Sequence, residues 1–139
     1  MTRGVAQVSS TEDQDHGNQV LTVLHVEDDE TISGIVKEIL ESEGWSVDTC
    51  SDGVVALERI CGNRRYDLLL VDHHLPGLNG LELVHRTRHM GHRSNIPIIV
   101  LSATPMNADA REAGADIFLQ KPIHITPLLQ AIDRVCRKR

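Results

Sequence analysis

From Val20 onward, short apolar runs take turns with amphipathic stretches, and the alternation repeats five times. The apolar runs are VLTVLHV (20–26), WSVDTC (45–50), YDLLLV (66–71), IPIIVLS (96–102) and ADIFLQ (115–120). Three of them are almost continuously aliphatic, as strands covered on both faces must be. Between the first two, Ile32, Ile35, Val36, Ile39 and Leu40 recur at helical spacing, and Glu43-Gly44 supplies a stop. Val54, Val55, Leu57 and Ile60 mark a second helix, and Leu81, Leu83 and Val84 a third that ends near Gly91. A fourth is predicted from Pro105 to Ala113, with proline in the tolerated first turn and Gly114 as its stop. Ile125, Leu128, Leu129, Ile132 and Val135 give the last helix a core face. Strand and helix in strict alternation predict an α/β fold built on a parallel sheet with helices on both sides.

Residues 1–18 carry no apolar period and are rich in Ser, Gln, Asp and Gly, so a disordered tail is expected there and a single domain over 19–139. The chain has 14 Lys and Arg against 20 Asp and Glu, for a net charge of -6. The tail's Arg3 against Glu12, Asp13 and Asp15 accounts for -2 of this, which leaves -4 on the domain itself. Such a surface repels nucleic-acid phosphates, and Trp45, Tyr66 and Phe118 are too few to make a base-stacking platform. Arg134, Arg137, Lys138 and Arg139 form a small basic patch of the kind that ordinarily complements a helix C-terminus. Cys50, Cys61 and Cys136 are odd in number and contain no CxxC pair, which fits free thiols in a reducing compartment. With no signal-peptide pattern and no apolar run long enough for a membrane span, a cytoplasmic chain without a membrane partner is expected.

In an open parallel sheet, ligands bind outside the carboxyl ends of the strands. The first strand runs into Glu27-Asp28-Asp29, the third into Asp72, the fourth into Ser102 and the fifth into Lys121. Carboxylates gathered this closely stay ionised only beside a cation or a lysine. Hard oxygens with an incomplete shell suit Mg²⁺, which keeps some of its waters and accepts a phosphate oxygen. With Asp72 as nucleophile, the set can perform phosphoryl transfer while metal, lysine and hydroxyl hold the equatorial oxygens.

The segments HVEDDE, VDHHLPGLNGLEL, VLSATP and EAGADIFLQKPI, in that order, resemble the receiver domains of two-component response regulators over about residues 20–137. The resemblance implies a (βα)₅ fold with flavodoxin-like strand order 2-1-3-4-5. It implies that Asp72 is the phosphoacceptor and that Asp28 and Asp29 are the acidic pair holding Mg²⁺. Asp29 would ligate directly, together with Asp72 and the backbone carbonyl of His74. Lys121 would pair with the phosphoryl group, with a cis peptide before Pro122. Ser102 would be the switch hydroxyl and Phe118 the aromatic that follows it; Phe118 in place of the commoner tyrosine removes a hydroxyl contact to partners.

Blander readings stand beside these. An Asp before an amphipathic run is a favoured helix N-cap. Ser102 alone reads as a strand-end hydroxyl, Phe118 as core, Lys121 as a surface charge, and Gly77 and Gly80 as turn residues with positive φ. Asp72-His73-His74 also resembles the signature of the DHH phosphoesterases. Consecutive strand residues point to opposite faces, however, so one ion could take all three only across a sharp bend. The receiver resemblance implies that His74 and Thr104 flank the phosphoryl group, and His74 is expected to influence its hydrolysis. His85 and His89, four apart on the third helix with His92 beyond, have Zn²⁺ spacing but no third ligand nearby, which favours a solvated face.

The expected function is that of a stand-alone receiver. It would take a phosphoryl group from a histidine kinase or histidine phosphotransfer protein onto Asp72 and signal to a downstream protein through the surface near the fourth helix and fifth strand. Turnover would be limited to self-catalysed acceptance and slow loss. A phosphorylation-independent interaction module and a metal-dependent phosphatase are the rival classes. The kinase, the downstream partner and the oligomeric state, homodimer included, stay open.

Overall fold

A computed structural model of the chain describes residues 20–137. The tail expected over 1–18 lies outside the described residues. Five strands, β1 (Thr22–Val26), β2 (Ser46–Cys50), β3 (Leu68–Asp72), β4 (Ile98–Ser102) and β5 (Ile117–Gln120), alternate with helices α1 (Glu30–Glu41), α2 (Gly53–Cys61), α3 (Gly80–Arg88), α4 (Asn107–Ala113) and α5 (Ile125–Arg137). The strands form one parallel sheet in the order β2-β1-β3-β4-β5. This is the doubly wound arrangement that the alternation and the resemblance imply.

The pleat explains the two cores. Leu21 and Val23, Leu68 and Leu70, and Ile99 and Leu101 pack on one face with Val36 and Leu40 of α1 and Leu128, Ala131 and Ile132 of α5. Their strand neighbours Leu24 and Val26, Leu69 and Val71, and Ile98 and Val100 pack on the other with Ala56 and Ile60 of α2, Leu83 and Val84 of α3 and Ala110 of α4. Every residue of β3 and β4 is buried, which is why those runs read as unbroken aliphatic stretches. No helix among the described residues is long and apolar enough to cross a membrane.

Boundaries differ from expectation where apolar residues serve packing rather than the ladder. Tyr66 and Ile96 are buried but precede their strands by two residues. Tyr66 is held by its hydroxyl donating to Asp48 at 2.9 Å and by the Arg93 guanidinium 5.3 Å above its ring. Helix α4 starts at Asn107 and not at Pro105, because Met106 at φ -151° and ψ 39° lies outside helical space. On α5, Leu128, Ile132 and Val135 are buried as expected, whereas Ile125, one turn earlier, is exposed.

The register levels the strand ends. Val26 pairs with Cys50 and Val71, Asp72 with Leu101, and Ser102 with Gln120. Ladder bonding continues one residue further: the N–H groups of Glu27, His73 and Lys121 donate to the carbonyls of Cys50, Leu101 and Ser102 at 2.8, 2.9 and 2.9 Å. The residues that leave β1, β3, β4 and β5 therefore emerge along one edge of the sheet.

Candidate functional site at the strand ends

Asp72, the last residue of β3, lies at the centre of that edge with its side chain only 4% exposed. The Lys121 ammonium, carried there by the end of β5, sits 3.0 Å from one Asp72 carboxylate oxygen and 2.8 Å from a Glu27 oxygen. The other Glu27 oxygen accepts the Asp29 N–H at 3.1 Å. Burial pushes the Glu27 carboxyl above its ordinary range, opposed by its hydrogen bond to Lys121. The Lys121 ammonium is itself raised despite partial burial, because Glu27 and Asp72 both favour its charged form. The peptide between Lys121 and Pro122 is cis, as the resemblance implies.

Glu27, Asp28 and Asp72 place carboxylate oxygens within 4.8 Å of one another. Among the described residues this is the one group of three or more His, Cys, Asp or Glu side chains close enough to share an ion. Asp28 is exposed while its two companions are buried, so an ion bound there would keep part of its shell in water. Three hard oxygens with one open side fit Mg²⁺.

Two sequence expectations are corrected by this geometry. Asp29 does not join Asp28 in the cluster: it is the N-cap of α1, its carboxylate accepting the Ile32 N–H at 3.1 Å. The acidic partner brought to Asp28 is Glu27, whose place as the last ladder-bonded residue of β1 turns it toward Lys121. The N-cap rule could have separated these residues, since Asp29 stands three positions before Ile32, the first apolar residue of the helix. Gly80 is the second correction. Its φ is not positive, and glycine is required because a Cβ would lie 2.4 Å from the Asp72 carbonyl oxygen. Gly77 does have positive φ, at 83°, as expected of a turn residue.

The remaining predicted residues fall around the cluster. Ser102, fully buried at the end of β4, accepts the Thr104 N–H on its hydroxyl at 3.1 Å. Phe118 is half-buried on the sheet face that carries α2, α3 and α4, in register with Val100. The His73 carbonyl accepts from the Gly80 N–H at 2.8 Å, which pins the turn after Asp72. The rings of His73 and His74 meet edge to face with centroids 4.8 Å apart, and neither is part of the carboxylate cluster. The three-ligand Asp-His-His cage is therefore not formed. Beside Lys121, an apolar groove of about 420 Å³ runs between Ile32, Ile35, Val36 and Ile39 of α1 and Pro122 and Ile123 after β5.

Comparison with known proteins agrees with this arrangement. The response regulator receiver domain family matches residues 23–133. The chain is 38% identical over 119 residues to the transcriptional regulatory protein CseB of Streptomyces avermitilis, across 84% of this chain and 49% of that one. It is 34% identical to a CpxR homolog of Haemophilus influenzae, across 84% of this chain and 50% of that one. The chain thus spans about half the length of these curated relatives. Among solved structures, a putative response regulator from Chloroflexus aurantiacus superposes with a TM-score of 0.81 at 30% identity, covering 86% of this chain and 99% of that one. The receiver domain of the sensor histidine kinase PA1611 from Pseudomonas aeruginosa, with a magnesium ion in its active-site cleft, superposes with a TM-score of 0.78 at 28% identity, with the same coverage. Sheet order, the Asp72–Lys121 pair at the strand ends and the family match point the same way: this chain belongs to the response regulator receiver domains.

Proposed function

We propose that Asp72 accepts a phosphoryl group, with Mg²⁺ bound beside it, from a histidine kinase or histidine phosphotransfer protein. The observation that carries this reading is the Lys121 ammonium, which lies within 3.0 Å of Asp72 while Glu27 and Asp28 bring their carboxylates to the same point. Asp28, Asp72 and the His74 carbonyl are the protein groups that would hold the ion, with Glu27 alongside. When bound, the ion would supply positive charge to the phosphoryl oxygens. An Asp72 carboxylate oxygen attacks phosphorus, the N–P bond to the donor imidazole breaks, and the bonding pair leaves with that imidazole. Lys121 remains paired with the developing phosphoryl charge, and Glu27 keeps its ammonium in place. The apolar groove beside Lys121 would receive an amphipathic helix presenting the donor histidine.

Signalling would follow from Ser102 and Phe118. The Ser102 hydroxyl accepts the Thr104 N–H and keeps its own proton to donate, so a turn of that hydroxyl toward a phosphoryl oxygen would pull on the loop leading into α4. That helix has no side-chain N-cap, so its first turn yields readily. Phe118, half-buried against the same side, would follow, altering the face formed by α4 and β5 for a downstream protein.

The test is incubation with Mg²⁺ and a small acyl phosphate, followed by intact mass. One phosphoryl group should appear on the wild-type chain and none on Asp72→Asn. Equal incorporation in both would sink the proposal, as would continuous release of inorganic phosphate from simple phosphate esters, which would indicate a phosphatase.

A further inference from the structure

Helix α3 carries two histidines that phosphoryl chemistry leaves unused. His85 and His89 lie one turn apart on its exposed side, with ring centroids 4.6 Å apart and planes tilted by 52°. His89 is the C-cap, and its backbone N–H donates to Arg86 rather than to the His85 carbonyl. That carbonyl is taken instead by the His89 ring, whose Nδ1 stands 2.9 Å from it. A carbonyl can only accept, so Nδ1 carries the proton and the lone pair of the neutral ring is on Nε2. Metal-ligating imidazoles are oriented in this way: one ring nitrogen is held by a carbonyl or carboxylate, and the other is left basic and fixed in direction.

We propose that His85 and His89 form a chelating site for a borderline transition-metal cation such as Zn²⁺, bound through one nitrogen of each ring with water in the remaining positions. Capping alone accounts for the His89 Nδ1 bond but not for the His85 ring brought alongside it. The last turn of a helix, where carbonyls lack partners, favours a cation. The neighbouring guanidiniums are engaged elsewhere: Arg86 with Glu82 at 3.0 Å, and Arg88 with the Gly114, Ser94 and Ile96 carbonyls and with Asp116. Two imidazoles select Zn²⁺, Cu²⁺ or Ni²⁺ over Mg²⁺, whereas the carboxylate cluster beside Asp72 prefers the hard ion. The two sites are therefore chemically separate. With only two protein ligands, binding would be reversible rather than structural.

The experiment is a Zn²⁺ titration of the full chain in excess Mg²⁺, which keeps the carboxylate cluster occupied, followed by NMR of the histidine ring nitrogens. Before metal is added, His89 should show the Nδ1–H tautomer. On addition, the His85 and His89 rings and the α3 amides should shift together. His85→Ala should weaken binding by at least about tenfold, the loss seen even when an outer-shell partner is removed. His89→Asn, which can still cap the helix, should do the same. Both positions are exposed, and unchanged far-UV circular dichroism will confirm that the variants fold. Zn²⁺ affinity unchanged by His85→Ala, or shifts confined to the rings of His73 and His74, would overturn the proposal.

Discussion

Replacing Lys121 with methionine is expected to destabilise the fold by about 3 kcal/mol at neutral pH in the absence of divalent cations, the lower end of the range for breaking a buried ion pair. The lysine stem packs beneath the charge and methionine fills much of the same volume, so the loss is electrostatic. Glu27 and Asp72, with side chains 1% and 4% exposed, share the one ammonium at 2.8 and 3.0 Å. Without it, two buried carboxylates face each other unpaired. The lower end applies because the Lys121 side chain is itself 17% exposed, so water replaces part of the lost interaction. Two controls identify the cause. The deficit should shrink as pH falls, because Glu27 is already raised by burial and protonation removes the repulsion. It should also shrink on addition of Mg²⁺, which binds the folded cluster and supplies charge in place of the ammonium. Phosphoryl acceptance should nevertheless fall by about 10²-fold or more even at saturating Mg²⁺, since a charge aimed at the phosphoryl oxygens is missing. Urea unfolding of both proteins with and without Mg²⁺ measures the first effect, and the rate of mass gain from an acyl phosphate measures the second. A variant as stable as wild type in metal-free buffer would show that the ion pair does not hold this edge together.

The sheet was legible because its signal is redundant. A strand buried on both faces needs aliphatic residues at every position, so LLLV (68–71) and IIVL (98–101) could not be mistaken for surface. The site was legible only in outline. Asp72, Ser102 and Lys121 each end a strand, and ends of parallel strands converge whatever lies between them. Asp28 and Asp29 are harder, because adjacency in the chain does not bring two carboxylates to the same point in space. The chain leaves β1 at Glu27 and enters α1 at Glu30, and across those few residues each carboxylate points its own way. Glu27 is hidden by the same effect: the N-cap rule can single out Asp29, but nothing in EDD itself says that the ladder holds Glu27 last. The role of Gly80 was hidden for a different reason: a close approach between backbones has no pattern in a single sequence, and it appears only when the turn after Asp72 is folded against α3.

His25 is a residue whose importance had no sequence signal at all, and it supports the other large effect. It sits in mid-β1, fully buried, in register with Thr49 and Leu70, and neither ring nitrogen has a hydrogen-bond partner. Burial first, and the nearby Lys121 charge second, push its pKa from 6.5 down to about 4. The imidazole is therefore neutral in the folded protein and costs the fold two unpaired polar atoms. His25→Leu removes that cost at similar volume and should stabilise by about 1–2 kcal/mol at pH 7. The larger effect lies in acid. Below pH 6.5 the unfolded chain protonates at His25 while the folded chain does not, so the unfolded state binds more protons and stability falls as pH falls. Between pH 6.5 and pH 4 the penalty from this one group grows to about 3 kcal/mol. Glu27, raised in the fold, works in the opposite sense, and His73, lowered by burial and by His74, works in the same sense. Both are present in wild type and variant alike, so the difference between the two proteins isolates His25. Urea denaturation of wild type and His25→Leu at pH 7 and pH 4 should show the gap between them widening toward acid. A constant gap would mean that the His25 imidazole takes up its proton without leaving the core.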